Sequence, residues 1–444
     1  MPGYPLIIAA VLKISPDNIA AIKTLNGIFF YGSLVLLFFL LKQFCSTIWI
    51  PSITVMIVSF NAHLLRFSTI MMSEIPFLFF SILSLYLFLK VDFSKNVAKT
   101  YQFYLFLFCV VFSYYIKALG LALMTGFLLY LLFRKNVKSM VLVLTGFVIG
   151  ILPWFIRGQR MGGNSYLYQL FQINVYRPEL GNAGIVDFVI RFINNTMRYI
   201  TREIPYALFP SIPVDYGKNY FAHEWITGLL LLALIIYGIY SLHTNRALIT
   251  CYLIGAFGVL LLWPSVWWGT RFVLFLVPLL LFFFVQGLYS LLQLISARCF
   301  KTVKVRASTF SITLFILVFL SFIPSLQERH GWATGPYPTG WNNYFQIAKW
   351  VKDNTPESAV VCCRKPSLFY LFAERRAASY KFLEDDKALI DDLKARKFDY
   401  VVAADLDFSS EELYLVPAIQ KNEEHFTRIA YFENPPAYLL KLNR

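Results

Sequence analysis

Few polar side chains in this sequence stand where chemistry would need them, and Glu74 is the first to single out. It lies in Arg66-Phe-Ser-Thr-Ile-Met-Met-Ser-Glu74-Ile-Pro76, between apolar runs at residues 48–65 and 75–89, and no other carboxylate occurs between Asp17 and Asp92. Each run is roughly long enough to cross a bilayer. A carboxylate at the bilayer centre costs about 2.5–3.5 kcal/mol, so it is kept where it faces protein or water, usually with a functional role. A plainer reading stays open. Ser73 and Pro76 look like a helix start, where a carboxylate suits the helix dipole.

The remaining candidates are cations near the ends of apolar runs: Arg66, Lys117, Arg157, Arg160 and Arg271. One acid among several cations suits an anionic headgroup, because arginine grips phosphate oxygens through paired N–H donors and lysine adds a point charge. Lys117 stands alone in Tyr114-Tyr-Ile-Lys-Ala-Leu-Gly120 and can equally snorkel to the interface. Arg271 follows Trp263-Pro-Ser-Val-Trp-Trp-Gly-Thr270 and can equally anchor a span. Arg157 and Arg160 also read as flanking charges. Trp263, Trp267 and Trp268 suit an aromatic belt or a stacking surface for a sugar ring. His63 sits inside an apolar run and reads as a core residue, and His223-Glu224 has no partner at metal spacing. The six cysteines show neither a disulfide framework nor zinc spacing.

The elements that must hold these residues are membrane helices. The chain has 444 residues, 58% of them hydrophobic and 18% aromatic, with mean hydropathy +0.60. The apolar excess is gathered into runs at residues 19–41, 48–65, 75–89, 101–116, 119–133, 137–156, 225–242, 248–263, 272–295 and 308–326. The expectation is an all-α polytopic membrane bundle of about ten spans. The net charge of +15 is spread over loops, with no arginine-rich stripe and no nucleic-acid motif, so it speaks for membrane orientation and against nucleic acid. Lys42, Lys90, Lys95, Lys99, Arg134, Lys135, Lys138, Arg246, Arg298, Lys301, Lys304 and Arg306 fall on alternate loops, whose only acid is Asp92. The positive-inside rule puts those loops in the cytoplasm and residues 66–74, 117–118, 157–224, 264–271 and the tail outside. The start of the chain must then also be outside, with nothing ahead to export it, so an earlier span and loop are expected to be missing.

Residues 1–334 are expected to form the transmembrane domain, with a tyrosine-rich outer loop at 158–224 that reads as a membrane-surface shelf or a sugar platform. Ser15-Pro16-Asp17-Asn18 reads as a helix start. Residues 335–444 alternate helix-like stretches (343–354, 366–372, 386–396) with strand-like ones (359–363, 399–403, 437–442), which predicts a small extracytoplasmic α/β domain. No glycine-rich phosphate loop or nucleophile motif occurs in it.

Several segments in order resemble the GT-C superfamily of membrane glycosyltransferases, in the branch of protein mannosyltransferases and lipid A aminoarabinose transferases. They are Pro2-Gly-Tyr-Pro-Leu6, Met72-Ser-Glu-Ile-Pro76, Lys117-Ala-Leu-Gly120, Leu152-Pro-Trp-Phe-Ile-Arg157, Thr270-Arg-Phe-Val-Leu-Phe-Leu-Val-Pro278 and Ala348-Lys-Trp-Val-Lys-Asp-Asn-Thr-Pro356. The resemblance implies transfer of a sugar from a polyprenyl-phosphate carrier to a lipid, glycan or protein acceptor on the outer face of a bacterial cytoplasmic membrane, with inversion. It implies that Glu74 orients the acceptor or helps hold a divalent metal ion. Lys117 and Arg271 would take the phosphate, Arg157 would be a secondary contact, and Arg66 would belong to the same basic outer pocket. One departure stands out: the family's usual base is an acid in the first outer loop, and this chain begins after that point. The chain therefore reads as an N-terminally shortened family member, which puts its own activity in doubt. The alternative of another class is a transporter or flippase for lipid-linked sugars.

Overall fold

The computed structural model describes residues 1–16, 18–94, 96–160, 165–299, 305–406 and 408–443, without the side chains of 165–167. Asp17, Lys95, Lys301 and Lys304, and the side chain of Tyr166, lie outside the described residues. The chain divides into two compact units: residues 1–170 with 184–331, and residues 171–183 with 332–444. The second thus takes in thirteen residues that the sequence assigns to the outer loop.

The first unit is helical: α1 (Gly3–Ile14), α2 (Ile19–Leu41), α3 (Trp49–Ser59), α4 (Ala62–Thr69), α5 (Glu74–Phe88), α6 (Tyr101–Ile116), α7 (Gly120–Phe133), α8 (Val137–Arg160), α9 (Ser165–Phe171), α10 (Ile185–Arg198), α11 (Ile204–Leu208), α12 (Ala222–Tyr240), α13 (Arg246–Leu262), α14 (Val277–Cys299) and α15 (Ala307–Thr334). Among the described residues, α2, α8, α12, α14 and α15 are long and apolar enough to cross a membrane, and the pair α3–α4 makes a sixth if counted as one span. Helices α5, α6, α7 and α13 are apolar but shorter. This is a membrane protein by its helices.

The run at 48–65 is not one straight helix. It bends by 56° between α3 and α4. Asn61 seals the break: its Oδ1 accepts from the amides of His63 and Leu64, and its Nδ2 donates to the Ala207 carbonyl at 2.9 Å. Such satisfaction is what hydrocarbon surroundings demand of a broken helix. Serine and threonine inside the apolar helices bond back one turn, as Ser33 does to Phe29, Ser81 to Phe77 and Ser113 to Cys109. Helix α14 is the axle of the bundle. Every residue from Val277 to Val285 is buried, as a helix apolar all round must be. Helix α8 instead leaves Val141, Leu144, Val148, Ile149 and Leu152 uncovered, a face suited to lipid.

The second unit carries helices α16 (Thr339–Asn354), α17 (Pro366–Ala373), α18 (Asp386–Ala395) and α19 (Val416–Lys421). Its strands are β1 (Val360–Cys362), β2 (Arg376–Ala378), β3 (Tyr400–Ala404), β4 (Phe426–Phe432) and β5 (Ala437–Leu442). The sheet order is β2-β1-β3-β5-β4. β1 runs parallel to β2 and β3, and β5 is antiparallel to β3 and β4. Strand alternation separates two cores. Val361 and Val402 pack with Ile347, Val351 and Phe369 of α16 and α17, while Cys362, Val401 and Ala403 pack with Leu389, Leu393 and Ala418 of α18 and α19. This is the small α/β fold expected of the tail.

Candidate functional site

Glu74 opens α5, and its side chain is only 1% exposed. Its Oε1 accepts from Lys117 Nζ at 3.1 Å and from Arg271, at 3.0 Å from Nη2 and 3.2 Å from Nε. Oε2 has no hydrogen-bond partner among the described residues. Both cations therefore load one oxygen and leave the other bare. A lone buried carboxylate would cost several kcal/mol, which this double pairing offsets. Two positive charges against one negative leave the cluster with a net charge of +1.

Lys117 is presented by the turn between α6 and α7. Its amide bonds to Ser113 and its carbonyl accepts from Gly120, each at 2.9 Å. The turn needs glycine at 120, where a Cβ would lie 2.5 Å from the Tyr114 backbone. Nζ also donates to the Arg271 carbonyl at 3.3 Å and lies 5.6 Å from the Phe272 ring centroid. Arg271, 44% exposed, ends the loop 264–271, and α10 with the turn after it holds that loop. Asn195 donates to the Leu261 and Trp263 carbonyls, both at 2.9 Å. Arg198 donates to Ser265 at 2.6 Å and pairs with Glu203 at 3.4 Å. Glu203 accepts from the Gly269 amide at 2.8 Å and from the Tyr216 hydroxyl at 3.1 Å. Gly269 sits at φ +107°, a region L side chains rarely adopt.

On the other side, Asn26 of α2 donates to the Ile70 carbonyl at 2.7 Å and to the Tyr4 hydroxyl at 3.1 Å. This fixes the segment entering α5, and Tyr4 lies near enough to feel the charge on Glu74.

The structure thus brings Glu74, Lys117 and Arg271 together, but not Arg66 or Arg157. Arg66 has Arg329 and Glu328 of α15 among its charged neighbours. Arg157 is exposed on α8 with its guanidinium 4.9 Å from the Trp154 ring, as a flanking interfacial charge would be. Arg160 is likewise exposed. His63 is buried, with Nε2 3.1 Å from the Tyr206 carbonyl. The metal alternative for Glu74 finds no ligand set. Two cations crowd its loaded oxygen, and no group of three His, Cys, Asp or Glu gathers among the described residues.

Reading by residue type missed Tyr4 and Asn26, and the polar latch on the loop. A signal for the latch was present. Arg191, Asn195, Arg198 and Arg202 follow a 4-3-4 spacing that puts them on one helical stripe. Arg191, Asn195 and Arg202 are buried. Arg202 pairs bidentately with Glu224 at 2.9 and 3.2 Å. An open cavity of about 770 Å³ lies beside the latch, lined by Arg198, Arg202, Tyr216, Tyr220, Ser265 and Trp268. Tyr216 and Trp268 meet there with ring centroids 4.5 Å apart.

Comparison with known proteins adds no relative: no protein-family model matches the chain, and no curated protein sequence matches it.

Proposed function

We propose that the membrane unit is a GT-C-type glycosyltransferase that moves a sugar from a polyprenyl-phosphate carrier to an acceptor hydroxyl on the outer face of a bacterial cytoplasmic membrane. The observation that carries this is a buried carboxylate sharing one oxygen with two cations while its second oxygen stays free. The ten-span, C-terminus-outside arrangement expected from the apolar runs and loop charges belongs to the same proposal.

In this reading the donor phosphate competes with Glu74 for Lys117 and the half-exposed Arg271. Those cations hold the charge that builds on the leaving group. As the cations turn to the phosphate, the Glu74 carboxylate is freed to orient the acceptor hydroxyl and to take its proton as general base. The acceptor oxygen bonds to the anomeric carbon, the bond to the phosphate oxygen breaks, and the polyprenyl phosphate leaves with the electron pair. The trio would supply this without the first-loop acid that the resemblance leads one to expect.

Transfer from polyprenyl-phosphate sugars, assayed on membranes holding the chain, tests the proposal. Glu74→Gln should lower turnover by about 100-fold or more with donor binding retained, as loss of a general base does. Lys117→Ala and Arg271→Ala should each weaken donor binding about tenfold or more. Full transfer by Glu74→Gln, or unchanged donor affinity in both cation variants, would overturn it.

A second reading, a transporter for lipid-linked sugars, is favoured by one observation, the 56° break between α3 and α4. Broken helices mark transporter binding sites. Movement of an intact lipid-linked sugar across vesicles, without transfer, would select it.

A further inference from the structure

The second unit carries its own unspent polar groups. In open α/β sheets, ligands bind outside the carboxyl ends of parallel strands where neighbouring connections leave to opposite faces. β1 and β3 meet that description. They are parallel neighbours. From β1 the chain turns to α17 on one face, and after β3 Tyr414, Leu415 and α19 pack on the other.

Arg364 and Lys365 follow β1 at this edge. Asp405 follows β3, and Glu411 opens the turn of π-helix before α19. Glu411 is 95% buried by its 5% exposure, yet neither of its carboxylate oxygens has a hydrogen-bond partner among the described residues. The Ala404 amide and Arg364 face it from the two strand ends, and Asp405 opposes it. Arg364 Nε is also buried without a partner among the described residues. The guanidinium is held between the Phe408 and Phe382 rings, 4.8 and 5.5 Å from their centroids, and makes no ion pair among the described residues. Lys365 Nζ lies 4.4 Å from the Phe408 ring centroid. A buried carboxylate and a buried guanidinium nitrogen left unsatisfied at one edge, among the described residues, call for an explanation, and a ligand supplies one.

We propose that the edge at the carboxyl ends of β1 and β3 binds a sugar phosphate, with Arg364 and Lys365 on the phosphoryl group and Glu411 accepting from sugar hydroxyls. An anion alone would use the cations and leave Glu411 idle; a neutral sugar would leave Arg364 idle. A phosphorylated sugar satisfies both. The shared chemistry is met by a free sugar phosphate and by the head of a lipid-linked one. The inference stands on the second unit alone and is independent of the transfer reaction proposed for the membrane unit.

Hydrogen exchange by mass spectrometry on the whole chain in lipid nanodiscs tests it, because protection is read locally. The probes are glucose 1-phosphate, inorganic phosphate, methyl glucoside and a short-chain prenyl-phosphate glucose. Glucose 1-phosphate or the prenyl form should protect the peptides over 360–368 and 404–412. Protection by the free sugar phosphate identifies a soluble ligand, and protection by the prenyl form alone identifies a lipid-linked one. Arg364→Ala should weaken that binding by about 10–100-fold, the scale of a charge-assisted hydrogen bond. The isosteric Glu411→Gln should weaken the sugar phosphates by about tenfold and leave inorganic phosphate unchanged. Arg364→Lys, which keeps the charge between the rings, controls for folding. No protection by any probe at about 10 mM, or protection that neither Arg364→Ala nor Glu411→Gln alters, would overturn the proposal.

Discussion

Among single residues, Glu411 gives the most direct measurement. Burial pushes its carboxyl up to about 7, with the Ala404 amide and Arg364 pulling against that and Asp405 adding to it. Tyr344, Tyr380, Cys362 and Cys363 also feel its charge. The folded chain then holds a proton that the unfolded chain releases near 4.5. Stability is greatest below the unfolded value and falls as pH rises through the folded one, by about 3 kcal/mol in all. Glu411→Gln should abolish that slope. At pH 8 the β1 and β3 amides of the variant should exchange more slowly than those of the parent, and near pH 4.5 the two should coincide. A parent whose exchange stability is flat between those limits would contradict this. Glu411 could not be singled out from the sequence, where it is one acid of Ser410-Glu-Glu-Leu413; only the strand ends show which of the two is buried. Glu74 was legible because it is alone in a long apolar stretch. Arg66 and Arg157 looked equivalent to Lys117 and Arg271 because adjacency to an apolar run does not say which way a side chain points.

At the scale of elements, the cation on Arg271 is positioned by a latch on the preceding loop. Glu203 accepts the Gly269 amide, and Arg198 and Asn195 take three carbonyls from residues 261–265. Glu203→Gln keeps the shape and weakens the latch. Exchange in the peptide over 264–272 should quicken, and donor affinity should fall several-fold while Lys117 and Glu74 stay paired. Unchanged exchange there would remove Glu203 from that role. Gly269→Ala should cost about 1 kcal/mol or more, since its φ suits glycine. The apolar runs predict the helices well, because burial in lipid needs only length and hydropathy. The bend at Asn61 was not read, because it depends on a partner carbonyl at Ala207, far along the chain. In the tail, the strands at 360–362, 400–404 and 437–442 were legible as apolar segments. β2 and β4 were not, being edge strands with no fully buried side chain.

At the scale of the molecule, the loop charges make a statement that labelling can check. With Cys299, the exposed thiol, replaced by serine, a cysteine at Lys135 should react with an impermeant reagent only after the inner face is opened. One at Lys218 should react on intact cells. The reverse pattern would invert the proposed orientation and move the Glu74 cluster to the wrong side for an exported acceptor. The burial of α14 carries a kinematic consequence. Val273 to Val285 touch protein on every side, so this rod cannot tilt without repacking its neighbours. Arg271 is mounted just ahead of it. A bulky guest therefore cannot prise the charged trio apart by wedging helices. In the proposed reaction, admission would come from unfastening the 264–271 flap, which the side chains of Asn195, Arg198 and Glu203 tie down through four hydrogen bonds to its backbone and flanks.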